Sequence, residues 1–210
     1  MAIITWPSGL ALPAECSFSQ ARYDMAESSD STGHRADRLL GPPRWRMSLR
    51  SIDAFTLKDA GLYEAMLLQL RGAVNHLAMF DPVRQAPQGT MRGTLTLDGS
   101  HAAGAVAVNL AGGAGEAGKT LLAGDWLQIG TGLGTSQLVK VVTGGTADGS
   151  GDIAVTVEPP LRIAFSGGTA VAWDKPLAYY KQLGAPQWSY RPALRFKQSG
   201  FAIDLLEVWT

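Results

Sequence analysis

The sequence contains a single cysteine, Cys16, among 210 residues. One thiol can close no intramolecular disulfide and cannot build a cysteine-based zinc site. Such a residue usually serves as a small apolar side chain. Histidine is almost as scarce: His34, His76 and His101 stand far apart, with no partner at metal-ligand spacing. No metal or other cofactor is therefore expected. Neither sign of charge is in excess, with 18 Lys+Arg against 18 Asp+Glu. The chain thus lacks the electrostatic footprint of a non-specific nucleic-acid binder. No apolar run approaches the roughly 20 residues that span a bilayer. The opening Met1-Ala-Ile-Ile-Thr-Trp-Pro7 lacks the charged and apolar regions of a secretory signal, so folding in a cytoplasm is expected.

What is present is an ordinary globular composition, 46% hydrophobic and 17% charged, enough for one large domain or two small ones. The 25 glycines favour many tight turns. Cys16-Ser-Phe-Ser-Gln-Ala-Arg22 and Arg44-Trp-Arg-Met-Ser-Leu-Arg50 alternate apolar and polar residues, the pattern of half-buried strands. A long polar loop containing Glu27–His34 is expected to join them. The spacing predicts one helix over about Leu57–Arg71: Thr56 and Asp59 form a capping pair, Leu62, Met66 and Leu70 recur at every fourth residue beside Tyr63 and Leu67, and Gly72 sits at the C-cap.

A β section follows, with expected strands at 93–97, 105–110, 126–129, 137–142, 153–157 and 169–173. Asp98-Gly99, Gly112-Gly113, Gly144-Gly145 and Asp148-Gly149 punctuate it. Short, evenly spaced strands suggest a small barrel or sandwich. Two alternating stretches, Ser189–Lys197 and Phe201–Trp209, are expected to form a terminal hairpin around Gln198-Ser-Gly200. That hairpin returns to the sheet begun by residues 16–50 if 93–175 is an insertion. The expected fold is therefore mainly β: a sandwich or barrel-like belt domain with one helix, formed by 1–92 plus 176–210, and an inserted small β-barrel domain at 93–175.

Two clusters are candidates for function. Gly113-Ala-Gly-Glu-Ala-Gly118-Lys119-Thr120 matches the P-loop pattern in full. In a P-loop, backbone N–H groups wrap phosphates, the lysine neutralises their charge and the hydroxyl holds Mg²⁺. The context argues against it: a P-loop must open a helix, yet Gly124 and Asp125 cut any helix after Thr120 to about one turn. Gly113, Gly118, Lys119 and Thr120 are read as a decoy in a β-hairpin loop, and no enzymatic activity is expected. The second cluster is basic: Arg35, Arg38, Arg44, Arg46 and Arg50, against Asp37 alone, with Trp45 among them. It is read as an interface. The six tryptophans are read as core and interface anchors.

Leu122-Ala-Gly-Asp-Trp-Leu-Gln-Ile-Gly130, Gln137-Leu-Val-Lys-Val-Val142 and Asp148-Gly-Ser-Gly-Asp-Ile-Ala-Val-Thr-Val-Glu-Pro-Pro-Leu-Arg162 form a series of phrases. Leu70-Arg-Gly-Ala-Val-Asn-His-Leu-Ala-Met-Phe-Asp-Pro82 and Gln88-Gly-Thr-Met-Arg-Gly93 precede them. In phrase and order, over about 44–210, the series resembles tailed-bacteriophage tail structural proteins of the distal tail (tail-tip) class. The resemblance implies a virion protein assembled in a bacterial cytoplasm. Six copies would form a ring below the tail tube, and the inserted β domain would project from it. Implied partners are further copies of the chain, tail-tube proteins and tail-tip or hub proteins. A host-surface glycan is a candidate ligand of the inserted domain. Alternatives are another virion component (tail tube, baseplate or head–tail connector) and a P-loop enzyme.

Overall fold

A computed structural model describes residues 1–28, 35–50, 56–191 and 197–209, with the side chains of 26–28, 35–39, 57, 187, 189–191 and 197–200 excepted. The strands, in chain order, are β1 (Ile3–Thr5), β2 (Glu15–Ala21), β3 (Asp24–Ser28), β4 (Arg35–Leu39), β5 (Arg44–Arg50), β6 (His76–Met79), β7 (Leu95–Leu97), β8 (Ala107–Ala111), β9 (Thr120–Leu121), β10 (Trp126–Ile129), β11 (Gln137–Thr143), β12 (Gly145–Thr146), β13 (Asp152–Glu158), β14 (Ala170–Ala172), β15 (Ala178–Arg191) and β16 (Lys197–Glu207). One helix, α1 (Leu57–Leu70), lies between β5 and β6. The chain is mainly β, as the alternation and turn dipeptides predict.

Strands β1-β6-β15-β16-β5-β2 form one six-stranded sheet, and β10-β11-β13-β8-β7-β14 close a barrel. The sheet takes its strands from the two ends of the chain, and the barrel takes all of its strands from Leu95–Ala172. Only β1 and β6 pair in parallel, Ile3 opposite His76; the other pairings within the sheet are antiparallel.

Helix α1 starts where Thr56 Oγ1 accepts the Asp59 N–H at 3.2 Å and donates to Asp59 Oδ2 at 2.7 Å. It stops one residue earlier than the sequence suggests: Arg71 already takes the left-handed conformation at φ 48°, and its N–H bonds Leu68 O. Gly72 continues in that region at φ 65°. Tyr63, Met66, Leu67 and Leu70 face one side of the sheet and pack on Met47, Leu49, Leu77, Tyr180 and Leu205. Each such side chain contributes roughly 1.5–3 kcal/mol by leaving water.

The barrel has its own core, built from alternate residues such as Val108 and Leu110 of β8 and Val155 and Val157 of β13. Its Asp148–Asp152 turn is stitched by Asp148 Oδ1, which accepts the N–H groups of Ser150 at 2.8 Å and Asp152 at 3.0 Å. Gly151, at φ 87°, lies against the backbone of Gly113, where a Cβ would collide with Gly113 O.

Two expectations are corrected, and one strand is added. The expected loop is flanked by paired strands, β3 with β4, Asp24 with Leu39 through Ser28 with Arg35, and residues 29–34 lie outside the described residues. Gln198-Ser-Gly200 is not the tip of the terminal hairpin, because β15 runs to Arg191 and β16 resumes at Lys197, placing that tripeptide inside β16. The segment after α1 holds a strand, β6, whose four residues are all buried. It therefore carries no alternation.

Candidate interface surface and the seam behind it

Strand periodicity divides the basic cluster. On β5, Trp45, Met47 and Leu49 point into the core, and Arg44, Arg46, Ser48 and Arg50 lie on the opposite face. Trp45 is therefore not an outward interface residue. It is 7% exposed, its ring meets Trp126 of the barrel edge-on with centroids 4.8 Å apart, and its Nε1–H donates to Leu138 O at 2.9 Å. Arg46 and Arg50 are exposed, and Arg46 Nη2 stands 4.0 Å from Asp204 Oδ2 on β16. At half exposure this pair adds little stability. Arg44 lies over the Trp209 ring, 4.6 Å from its centroid. Arg35 and Arg38 belong to β4, and their side chains lie outside the described residues.

Two ribbons leave the sheet at opposite ends. The β2–β5 ladder ends at Ala21 opposite Arg44, and the chain continues into β3 and β4, which form a separate two-stranded sheet. At the other end, the described β5–β16 pairing stops at Arg50 opposite Ala202, and β15 and β16 continue together to Arg191 opposite Lys197. Near the root of the first ribbon, Tyr23, Met25 and Leu40 are 42%, 46% and 62% exposed. Tyr23 and Met25 share one face of the ribbon by strand alternation, and Leu40 pairs with Tyr23 through Leu40 N–H to Tyr23 O at 2.8 Å.

Buried carboxylates line the seam between sheet and barrel. Asp81, after β6, accepts the Trp126 Nε1–H at 2.9 Å through Oδ2 and the Val83 N–H at 2.9 Å through Oδ1. Asp125, 2% exposed, accepts three backbone N–H groups: Gln88 at 2.6 Å, Leu122 at 2.8 Å and Gly89 at 3.3 Å. Glu207, at the end of β16, accepts the Trp45 N–H at 2.9 Å. Burial is the main force pushing its carboxyl up to about 7, against the pull of that hydrogen bond and of Arg162 and Arg44. Around the barrel mouth, Gln137 Oε1 accepts the Arg162 N–H at 2.7 Å, and Gln137 Nε2 donates to Pro160 O at 2.9 Å. The quoted phrases thus meet one another in space: Phe-Asp-Pro with Asp-Trp, Gln-Gly with Gly-Asp, and the Pro-Pro-Leu-Arg run with Gln137. Sequence reasoning missed Asp81, Asp125 and Glu207 as a group; the Gly124-Asp125 turn before a buried Trp126 was the available signal.

The P-loop-like segment forms no phosphate cradle. Ala114–Glu116 is one 3-10 turn, and Thr120 opens strand β9 rather than a helix. Lys119 Nζ is 2.6 Å from Glu116 Oε1, and Glu116 Oε2 accepts the Arg92 N–H at 2.8 Å. The lysine, with the Arg92 N–H beside it, holds the Glu116 carboxyl below its usual range. Thr120 Oγ1 faces Thr90 Oγ1 at 3.3 Å. Gly113, Gly118, Lys119 and Thr120 therefore brace the chain as it passes from sheet to barrel, with an acidic side chain where phosphate oxygens would need donors.

Among the described residues no cluster of three or more His, Cys, Asp and Glu could hold a metal ion, and no helix is long and apolar enough to cross a membrane. No described tryptophan is exposed: Trp126 is 3% exposed, and Trp173 packs on the barrel core with its Nε1–H on Gly93 O at 2.7 Å. A scan of protein-family models gives no match to this chain, and a search of curated proteins gives none either.

Proposed function

We propose that the chain is a non-enzymatic structural protein of a tailed-phage virion, a ring-forming component of the distal tail that links the tail tube to the host-recognition apparatus. The observation that carries this reading is the β3–β4 ribbon. It forms a two-stranded sheet of its own, pairs only with itself among the described residues, and leaves Tyr23, Met25 and Leu40 partly in water. An isolated two-stranded ribbon is marginal in water and gains stability when another surface covers it. A second ribbon at the opposite end of the same sheet gives the chain two different contact ends. Head-to-tail contact of that kind is heterologous and closes into a ring when the rotation per copy permits. The barrel, joined to the sheet through Trp45, Trp126 and Asp81, is held as a rigid projection able to contact neighbouring tail proteins. The phrase series at 70–82, 88–93, 122–130, 137–142 and 148–162 supports the same reading.

Mass photometry of the purified chain tests the assembly step. The native chain is expected to form a closed ring, six copies by the resemblance. Met25→Asp with Leu40→Asp is expected to leave monomers with unchanged circular dichroism. A monomeric native chain, or a doubly substituted chain that still assembles, would refute the role given to the ribbon.

A further inference from the structure

A pocket of about 400 Å³ opens where the end of the sheet meets the barrel, lined by Arg44, Arg162, Lys181, Gln182, Leu206 and Trp209 among others. Three cations come from three separate segments: Arg44 from β5, Lys181 from β15 and Arg162 from the run after β13. Among the described residues none of the three is in an ion pair. Arg44 and Arg162 each stack on the Trp209 ring with the guanidinium carbon 4.6 Å from its centroid. Burial and the nearby Arg44 charge both disfavour the charged form of Arg162, and Glu207 only partly opposes them.

The hydrogen bonding is also incomplete. Arg162 Nη2 donates to Gly134 O at 2.9 Å and Ser136 O at 3.4 Å, but its buried Nε–H has no partner among the described residues. Gln182 is 4% exposed; its Nε2 donates to Gly184 O at 2.9 Å, and its buried Oε1 has no donor among the described residues. Buried polar atoms of this kind are exceptions in folded proteins and call for a specific cause.

We propose that this pocket binds a peptide-borne carboxylate, an acidic side chain presented by a neighbouring protein next to apolar residues. A carboxylate supplies the negative charge that the three clustered cations favour, and its planar geometry suits a guanidinium. Leu206, Val208 and Trp209 provide an apolar wall that suits a neighbouring side chain and that a bare inorganic anion would leave uncovered. This inference does not depend on the tail reading, because it rests on the pocket alone.

Calorimetric titration of the full chain with acetyl-Leu-Asp-Leu-amide tests it, beside the uncharged acetyl-Leu-Asn-Leu-amide and inorganic phosphate. The Asp probe is expected to bind at least about tenfold more tightly than the Asn probe, the scale of one charge-assisted hydrogen bond. Arg162→Gln is expected to weaken the Asp probe by about tenfold. Lys181→Gln, at a partly exposed position, is expected to weaken it by a smaller factor with unchanged circular dichroism. Equal binding of the Asp and Asn probes, no heat from the Asp probe at millimolar concentration, or tighter binding of phosphate would each overturn the proposal.

Discussion

Replacing Asp125 with alanine removes the acceptor of three backbone N–H groups at once. Gln88 and Leu122 donate at 2.6 and 2.8 Å, and Gly89 at the longer 3.3 Å. Hydrogen bonds to a charged group contribute roughly 1.5–3 kcal/mol each, and a buried donor left without an acceptor costs about 1–3 kcal/mol. Two short bonds and one long one, with Asp125 at 2% exposure, give a loss of about 4 kcal/mol. For a chain of this size each kcal/mol moves Tm by roughly 2–4 °C, so a fall of about 10 °C is expected. Asp125→Asn keeps one oxygen and turns an NH₂ group toward the donors on the other side, so it recovers only part of the loss. Urea unfolding followed by tryptophan fluorescence measures the energy, and hydrogen exchange at Gln88, Gly89 and Leu122 localises it. A loss under about 1 kcal/mol, or unchanged exchange at those amides, would refute the view that Asp125 fastens the sheet-to-barrel crossing.

Two further outcomes follow from the buried carboxylates. Glu207 is pushed up to about 7 by burial, so between its usual value near 4.5 and pH 7 the folded chain holds a proton that the unfolded chain has released. The contribution of Glu207 to stability is therefore full below about pH 4.5 and is lost as pH rises through 7, by about 3 kcal/mol. Glu207→Gln is expected to flatten that fall, so urea midpoints at pH 5 and pH 8 should converge in the variant; a native chain with equal midpoints at both pH values contradicts the assignment. Lys119→Ala is expected to lower stability by about 1 kcal/mol through loss of the partly exposed pair with Glu116, without altering ATP affinity in equilibrium dialysis. ATP binding that depends on Lys119 would revive the P-loop reading.

Much of the fold is legible in local sequence. The Thr56–Asp59 cap and the Tyr63, Met66, Leu67, Leu70 stripe mark α1, and glycine-bearing turns set off strands such as β10 and β13. β6 is not legible, because a strand buried on both faces has no period-2 signal and His76, at 0% exposure, reads as polar. The β3–β4 ribbon is missed because its residues are those of a polar loop, and pairing between the two strands is not a property of either alone. Trp45 is misassigned through neglect of a signal that was present: in Arg44-Trp-Arg-Met-Ser-Leu-Arg50 alternation sends Trp45 inward with Met47 and Leu49. The seam depends on long-range contacts, Asp81 with Trp126 and Asp125 with Gln88, which no local pattern announces.

Cryo-electron microscopy of phage particles carrying a small tag on this chain tests the proposed role most directly. A single ring of tags at the end of the tail away from the head is the predicted result. Tags along the tube or at the neck would place the chain elsewhere in the particle, and particles without the tag would contradict a structural role in the virion.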